Sequence, residues 1–456
     1  MSGLSALLET ARRALMSQQG GISVTSHNIA NASTPGYSRQ RINITTTLPS
    51  KEIYGYLGTG VTVASVDQVR DSFLDQQVRY SNAAVGDATS QQGILGQVEA
   101  AFNEPSTSGL SSSMTAFFNS FQDLSTHPED PSSRNAVIQQ GNLMSQTFHR
   151  LHDNLAELDQ SLQEDVQTKI STINQLASQI SDLDTRITSA TANGGAPNDL
   201  MDQRNQKIED LSKLVNVTVA SDNSGSVMVS VNGMVIASRA GGVQLKAVQS
   251  GNQLMIQTVK DNVPVNITGG ELGGTLKQYN VSIPKYLSQL DQLAGALISR
   301  VNTLHRAGYN LMNPPTTGNN FFTGSTAADI NVDPAVAANA SLVAASGTGA
   351  SGDNSVALAI SKVPQDLVMN GGTQTLGQYY NGVSSSVGSE IDGANSTVTS
   401  QNLILDQLEN QRSAVSGVSL DEEMTHLIQF QRAYEAAARL VNTTNEMFTT
   451  VIGMMQ

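Results

Sequence analysis

Six histidines are the side chains best suited to chemistry here: His27, His127, His149, His152, His305 and His426. His149 and His152 are three residues apart, with Asp153 and Glu157 close behind. On a helix, these would gather near one face and could meet a divalent metal. They follow no closed nitrogen–sulfur pattern, and no second cluster completes a coordination sphere. A solvated helix face is the better reading. No HExxH, GxxxxGK[ST] or GxSxG segment occurs, so the usual zinc-peptidase, phosphate-loop and serine-hydrolase devices are missing. "GGELGG" lacks the lysine of a phosphate loop, and its glycines suit a turn. The acid pair Glu422-Glu423 fits the positive end of a helix better than acid–base catalysis. The expectation is no enzyme, no catalytic or cofactor-binding residue, no metal and no cofactor.

Composition points the same way. The chain has 456 residues, 39% hydrophobic and only 4% aromatic, with no tryptophan. That length allows several domains with a substantial core. The formal net charge is −14, and no basic stripe offers phosphate contacts, so nucleic acid is not an expected partner. Residues 1–41 run against this trend, with Arg12, Arg13, Arg39 and Arg41 facing Glu9 alone. Cysteine is absent, which removes disulfides and thiolate chemistry. No apolar run approaches the roughly 18 residues of a membrane span, so membrane insertion is not expected. The start "MSGLSALLETARRALMSQQ" lacks the basic region and apolar core of a secretory signal. Its two arginines make a poor transit peptide.

The elements that would position any site are mostly helices. One is predicted from about Ser5 to Ala32, with Leu4, Leu8, Ala11, Leu15, Gln18, Ile22, Thr25 and Ile29 at alternating steps of four and three. It stops at "NIANASTPGYSRQ". Thr34 is pushed out of the helical region by Pro35, and Pro35-Gly36 suits the centre of a type II turn. Helices follow at about 71–102 and 114–124. A very long one spans 132–192, with an apolar seam from Phe148 through Leu162 and Ile173 to Ile187 that suggests a rod or bundle. After "NGGAP" and a shorter helix, the period changes to two. Val227, Val229 and Val231 alternate before Asn232-Gly233, a strong hairpin signal. Residues 276–306 and 376–415 return to helix. Residues 309–375 carry little apolar periodicity and are expected to be a looser, outward-facing and tolerant β excursion.

The end mirrors the beginning. Ser419 and Glu422 have capping-box spacing, and behind them Met424, Leu427, Gln431, Tyr434, Ala438, Val441, Asn445, Phe448, Ile452 and Met455 step by threes and fours. Gly20-Gly21 weakens the first helix by about 1 kcal/mol per glycine, and lone helices are marginal in water. Each seam residue can return roughly 1.5–3 kcal/mol, but only against a partner. The natural partner of each end is the other, which makes the middle of the chain an insertion. The fold class expected is mainly α with β inserts (α+β). It comprises a paired terminal coiled coil (1–35 with 418–456), a helical bundle (36–214 with 274–308 and 376–417), a β-rich insert (215–273) and the looser 309–375 insert.

"SHNIANASTPGYSRQR" and "EEMTHLIQFQRAYEAAARLVNTTNEMFTTVI" resemble the N- and C-terminal signatures of the bacterial flagellar axial proteins, which are the rod, hook and hook-associated proteins. "GAPNDLMDQRNQKIEDLSKLVNVTV" and "ITGGELGGTLKQYN…LISRVNTLHRAGYNL" look like a hook-associated junction member of that family. The resemblance covers nearly the whole chain and is weak only at about 310–375. It implies a structural ring of identical subunits between hook and filament, needed for filament assembly. The hook protein would lie below and the next hook-associated junction protein above. It also implies export by the flagellar type III apparatus with a dedicated chaperone, and a secreted, extracellular place on the flagellum. The terminal helices would line the inner core, so Leu4, Leu8, Leu15, Ile22, Ile29, Met424, Leu427, Tyr434, Val441, Phe448 and Ile452 become an assembly seam. Asn28, Asn31, Pro35, Gly36 and Tyr37 become the turn that leads to the next shell. A hook or distal-rod protein is one alternative, less suited to the long helices. A secreted adhesin or enzyme carried on axial termini is another.

Overall fold

The computed structural model describes residues 2–52, 55–102, 106, 109–222 and 225–454. The chain is mainly helical, with small antiparallel sheets set between the helices. Its spine is α4, Pro131–Ala192. Asp130 starts it by accepting the backbone amides of Ser132 and Ser133, with Pro131 in the first turn, where its missing N–H costs nothing. From Phe148 to Ile187, all twelve predicted seam residues are buried. They face α5 (Asn198–Leu214), α6 (Gly270–Lys277) and α7 (Ile283–Ala307) along its length. "GGELGG" opens α6 rather than closing a turn.

Two further long helices run beside this bundle. α2 (Ser72–Phe102) and α10 (Leu376–Ser416) lie antiparallel: Gln92 donates to Asn395 at 2.6 Å, while Phe102 stacks on Tyr380 at 6.3 Å. α10 begins with a capping box between Thr375 and Gln378. The β insert holds a three-stranded sheet, β5 (Thr218–Ser221), β6 (Val227–Val231) and β7 (Met234–Ala237). A hairpin of β8 (Leu245–Ser250) and β9 (Gln253–Thr258) follows. Asn232 and Gly233 take φ of 46° and 82° between β6 and β7, as a primed hairpin turn requires. One buried ion pair ties this insert to the spine. Asp184 on α4 accepts Arg204 at 2.8 Å and the Val227 amide at 2.9 Å.

The stretch 309–375 differs from expectation. It holds two-residue strands, β10 (Phe322–Thr323) and β11 (Asn331–Val332), the short helices α8 (Pro334–Ala338) and α9 (Ser355–Ser361), and 3-10 turns at Ala340–Leu342 and Val363–Gln365. Yet Phe321, Phe322, Ile330, Val332, Val336, Val343 and Ile360 are buried in the common core. Phe321 packs on Phe117 and Phe121 of α3 (Leu110–Thr126), each at 5.6 Å. The apolar residues here are set by turns and side-chain hydrogen bonds, so no period announces them. The segment is part of the body, not a loose excursion.

Candidate assembly junction

α1 (Ser2–Ala30) and α11 (Leu420–Met454) pair with one another. Their direction follows from two contacts: Asn28 bonds Glu423, and a Cβ on Gly21 would sit 2.6 Å from the Phe430 ring. As one number falls the other rises, so the helices are antiparallel. The hairpin of β1 (Gln40–Thr46) and β4 (Val61–Gln68) closes on α1 from another side. It is continued by β2 (Ser50–Glu52) and β3 (Gly55–Leu57). There a Cβ on Gly20 would lie 3.0 Å from Ile42. The double glycine that weakens α1 in isolation is therefore the place where two elements approach its backbone.

The seam is displaced from the one drawn on apolarity. On α11 the most buried residues are Glu423, Ala437 and Thr444, and Phe430 continues their spacing. Leu427, Val441 and Phe448 are half-buried, but Met424, Tyr434 and Ile452 are exposed. Every second position thus lies one residue earlier than an apolar pattern chooses. The cause is Glu423, a buried carboxylate that such a pattern passes over in favour of Met424. On α1, Leu4, Leu8, Leu15, Ile22 and Ile29 are half-buried, while Ala11, Ser17, Gly21, Thr25 and Asn28 are the most buried. Small residues at the contact let the two backbones come close.

The turn after α1 gathers most of the polar residues singled out in the sequence. The Tyr37 amide donates to the Thr34 carbonyl at 3.2 Å, and Gly36 has φ of 77°, as the third residue of a type II turn needs. A side chain on Gly36 would also meet Gln206. Asn31 closes the helix by donating to the His27 carbonyl at 3.0 Å and accepting Thr34 at 3.1 Å. Asn28, 1% exposed, uses its whole amide. It donates to the Gln40 carbonyl and to Glu423, both at 2.9 Å, and accepts the Tyr37 hydroxyl at 2.7 Å and the Gln40 amide at 2.9 Å. Burial, with Asp199, Asp202 and Glu423 nearby, holds the Tyr37 hydroxyl protonated by pushing its pKa well up. Pro35 and Gly36 shape the turn, while Asn28 and Tyr37 join it to α11.

The residues that fasten this turn to the body carry no apolar signal and escape sequence reasoning. Asp202 on α5 accepts the Ser38 hydroxyl at 2.8 Å and its amide at 3.1 Å. Arg70 bridges Asp202 at 3.3 Å and Asp75 at 3.0 Å. Burial works against its charge, but Asp75 and Asp202 more than offset this and raise its pKa. Burial also pushes Asp202 up, although Ser38 and Arg70 pull it down. Asp199 accepts Gln40 at 3.0 Å and meets His27 at 3.2 Å. The Arg39 amide donates to the Ser416 carbonyl at 2.9 Å, and its guanidinium pairs with Glu422 at 3.0 Å. Glu422 is thus committed to Arg39, and the Ser419 carbonyl accepts the Glu423 amide at 3.0 Å.

Elsewhere His152 lies beside Asp153 at 3.2 Å, and the His149–Glu157 face builds no chelating group. Among the described residues, no three His, Asp, Glu or Cys side chains could hold a metal, and no helix is long and apolar enough to cross a membrane.

A chain whose two ends form one antiparallel helix pair, with everything else inserted between, is built like an axial subunit. Residues 8–37 match the family of flagella basal body rod proteins. Residues 409–454 match the C-terminal region of the flagellar basal body rod FlgEFG proteins. The class is that of the axial structural components of the bacterial flagellum. The helical body narrows this: residues 95–322 match the helical domain of the flagellar hook-associated protein FlgK. Flagellar hook-associated protein 1 of Bacillus subtilis (strain 168) is 33% identical, with 98% of each chain aligned. That of Escherichia coli (strain K12) is 25% identical over 99% of this chain and 100% of its own. The flagellar hook junction protein FlgK from Burkholderia pseudomallei has a similar fold, with a TM-score of 0.66. It is 16% identical, and the match covers 75% of this chain and all of that one. The chain belongs to the flagellar hook-associated protein 1 family.

Proposed function

We propose that this chain is the structural junction between hook and filament, a ring of identical subunits on which the filament is built. Its hook-side neighbour is the hook protein and its outer neighbour the next hook-associated protein. It reaches that extracellular place through the flagellar type III apparatus, escorted by an export chaperone, and it acts without catalysis. Family membership supports this reading, and one structural observation carries it. α11 buries one face against α1 and still exposes Met424, Ile428, Leu440, Met447 and Ile452. These side chains flank the buried stripe on both sides; a helix with exposed apolar flanks awaits further neighbours, and a closed ring of identical subunits supplies them.

Leu427→Asp tests this. The carboxylate would lose the leucine's transfer energy and add a desolvation penalty of several kcal/mol against α1. In a deletion strain complemented with this variant, electron microscopy is expected to show hooks without filaments. Circular dichroism of the purified variant should keep most of the helix signal, since the bundle buries a separate core. Glu435→Gln, exposed on α11, should restore filaments. Normal filaments with Leu427→Asp would overturn the proposal.

A further inference from the structure

We propose that His305 is an acid-sensitive pin. When its imidazole takes a second proton, the arm 340–346 detaches reversibly from the end of α7 while the helical body stays folded.

The geometry fixes how this histidine is protonated at rest. His305 is 1% exposed. Its Nδ1 lies 2.8 Å from the Asn319 carbonyl oxygen, which can only accept, so Nδ1 carries the proton. Its Nε2 lies 2.9 Å from the Ala344 amide nitrogen, which can only donate, so Nε2 must be bare. The ring is therefore neutral and of one tautomer, and it joins two chain segments 25 residues apart. A proton on Nε2 would set two N–H groups head to head and leave the Ala344 amide without an acceptor. The cost of such a buried orphan is substantial.

The charged groups facing the ring reinforce this. Arg134 of α4 donates to the Val343 carbonyl and to that of Pro128, placing a fixed positive charge beside the arm. Asp333, the cap of α8, acts in the opposite sense. Arg306 follows on α7. Edge-on, Phe321 covers the ring at 5.5 Å, and no carboxylate among the described residues bonds it. Burial, chiefly, pushes the His305 pKa down from 6.5 to about 4, with Arg134 contributing. A base with a lowered folded pKa stabilises fully above its unfolded value. That contribution is lost as pH falls from about 6.5 towards 4.

The neighbouring hydrogen bonds set the boundary of the opening. The arm is also held to Tyr309 and Leu311 by backbone bonds at Ala345, Ser346 and Ser341, and to α9 by the Val356 and Ala357 amides, which donate to the Ala345 carbonyl at 3.0 and 3.1 Å; these are the bonds the opening must break. Asn302 separately accepts the Phe321 and Phe322 amides at 2.9 Å each, and no proton uptake alters that.

Amide hydrogen exchange on the full chain at pH 7.5 and 5.0, normalised to intrinsic rates, tests the pin. Protection across 340–346 is expected to fall about 30-fold at pH 5.0. Phe321, Phe322 and the α4 seam should hold theirs. Unchanged protection in the arm, or an equal loss throughout, would overturn the proposal. In His305→Gln the pH dependence of the arm should vanish, and its persistence would also overturn it. Should that variant not fold, nitrogen NMR of the unaltered chain decides. The neutral Nδ1–H tautomer should persist at pH 5, and a titration midpoint at or above 6.5 would refute the pin.

Discussion

Replacing Arg204 with alanine is expected to destabilise the β insert by about 3–5 kcal/mol, the cost of breaking a buried ion pair from one side. Asp184 is fully buried. Besides Arg204 it accepts the Ser226 hydroxyl at 2.5 Å and the Val227 amide, and Arg204 also donates to the Gly225 carbonyl at 2.7 Å. Removing the guanidinium leaves a buried carboxylate beside the first residue of β6 without its cationic partner. Exchange protection of β5 to β7 should collapse well before that of α4. The double change Asp184→Leu with Arg204→Met should recover much of the loss, since an apolar pair of similar volume avoids the desolvation of two charges. Urea unfolding followed by exchange at these strands checks both. Equal stability of Arg204→Ala and the parent chain would show that the insert is held by its apolar side alone.

Phe321→Ala is the second large effect, expected to cost about 3–5 kcal/mol. The ring is fully buried and meets Phe322 at 4.8 Å, Phe117 and Phe121 at 5.6 Å, and the His305 ring at 5.5 Å. A methyl group there leaves a cavity in an aromatic cluster at the contact between α3, α7 and the 309–375 segment. The thermal transition should fall by several degrees, and exchange in α3 should rise with it. A loose segment would tolerate the change, so a shift within error would restore the reading of 309–375 as an excursion.

Neither of these two sites was legible in the sequence, whereas other parts of the fold were. The α4 seam was legible because twelve apolar residues keep a step of three or four, and only a helix makes that one face. Asn232-Gly233 was legible because few turns demand positive φ at two successive residues. The end of α1 was legible from Pro35-Gly36, and the importance of Asn28 and Tyr37 came from the family signature. What they hold was not. Glu423 lies 395 residues from Asn28, and a carboxylate inside a helix pair contradicts the rule that draws the seam through Met424. Asp202, Ser38 and Arg70 form a polar knot from three elements, and nothing in their local sequence brings them together. The 309–375 segment hid for a different reason. Its side chains are placed by capping, as when Asp333 takes the Ala335 amide and Asn339 the Ser341 amide, and such structure has no period.

The two terminal helices form one antiparallel module, closed at Asn28 and Glu423. The absence of cysteine allows two spin labels to be placed without background. Gln19 and Arg432 are exposed and stand opposite one another in the register set by Gly21 with Phe430 and Asn28 with Glu423. With helix axes about 8–10 Å apart, labels on Gln19→Cys and Arg432→Cys should give one narrow electron–electron distance of roughly 15–25 Å once their arms are added. A broad distribution lacking that short component would contradict the account.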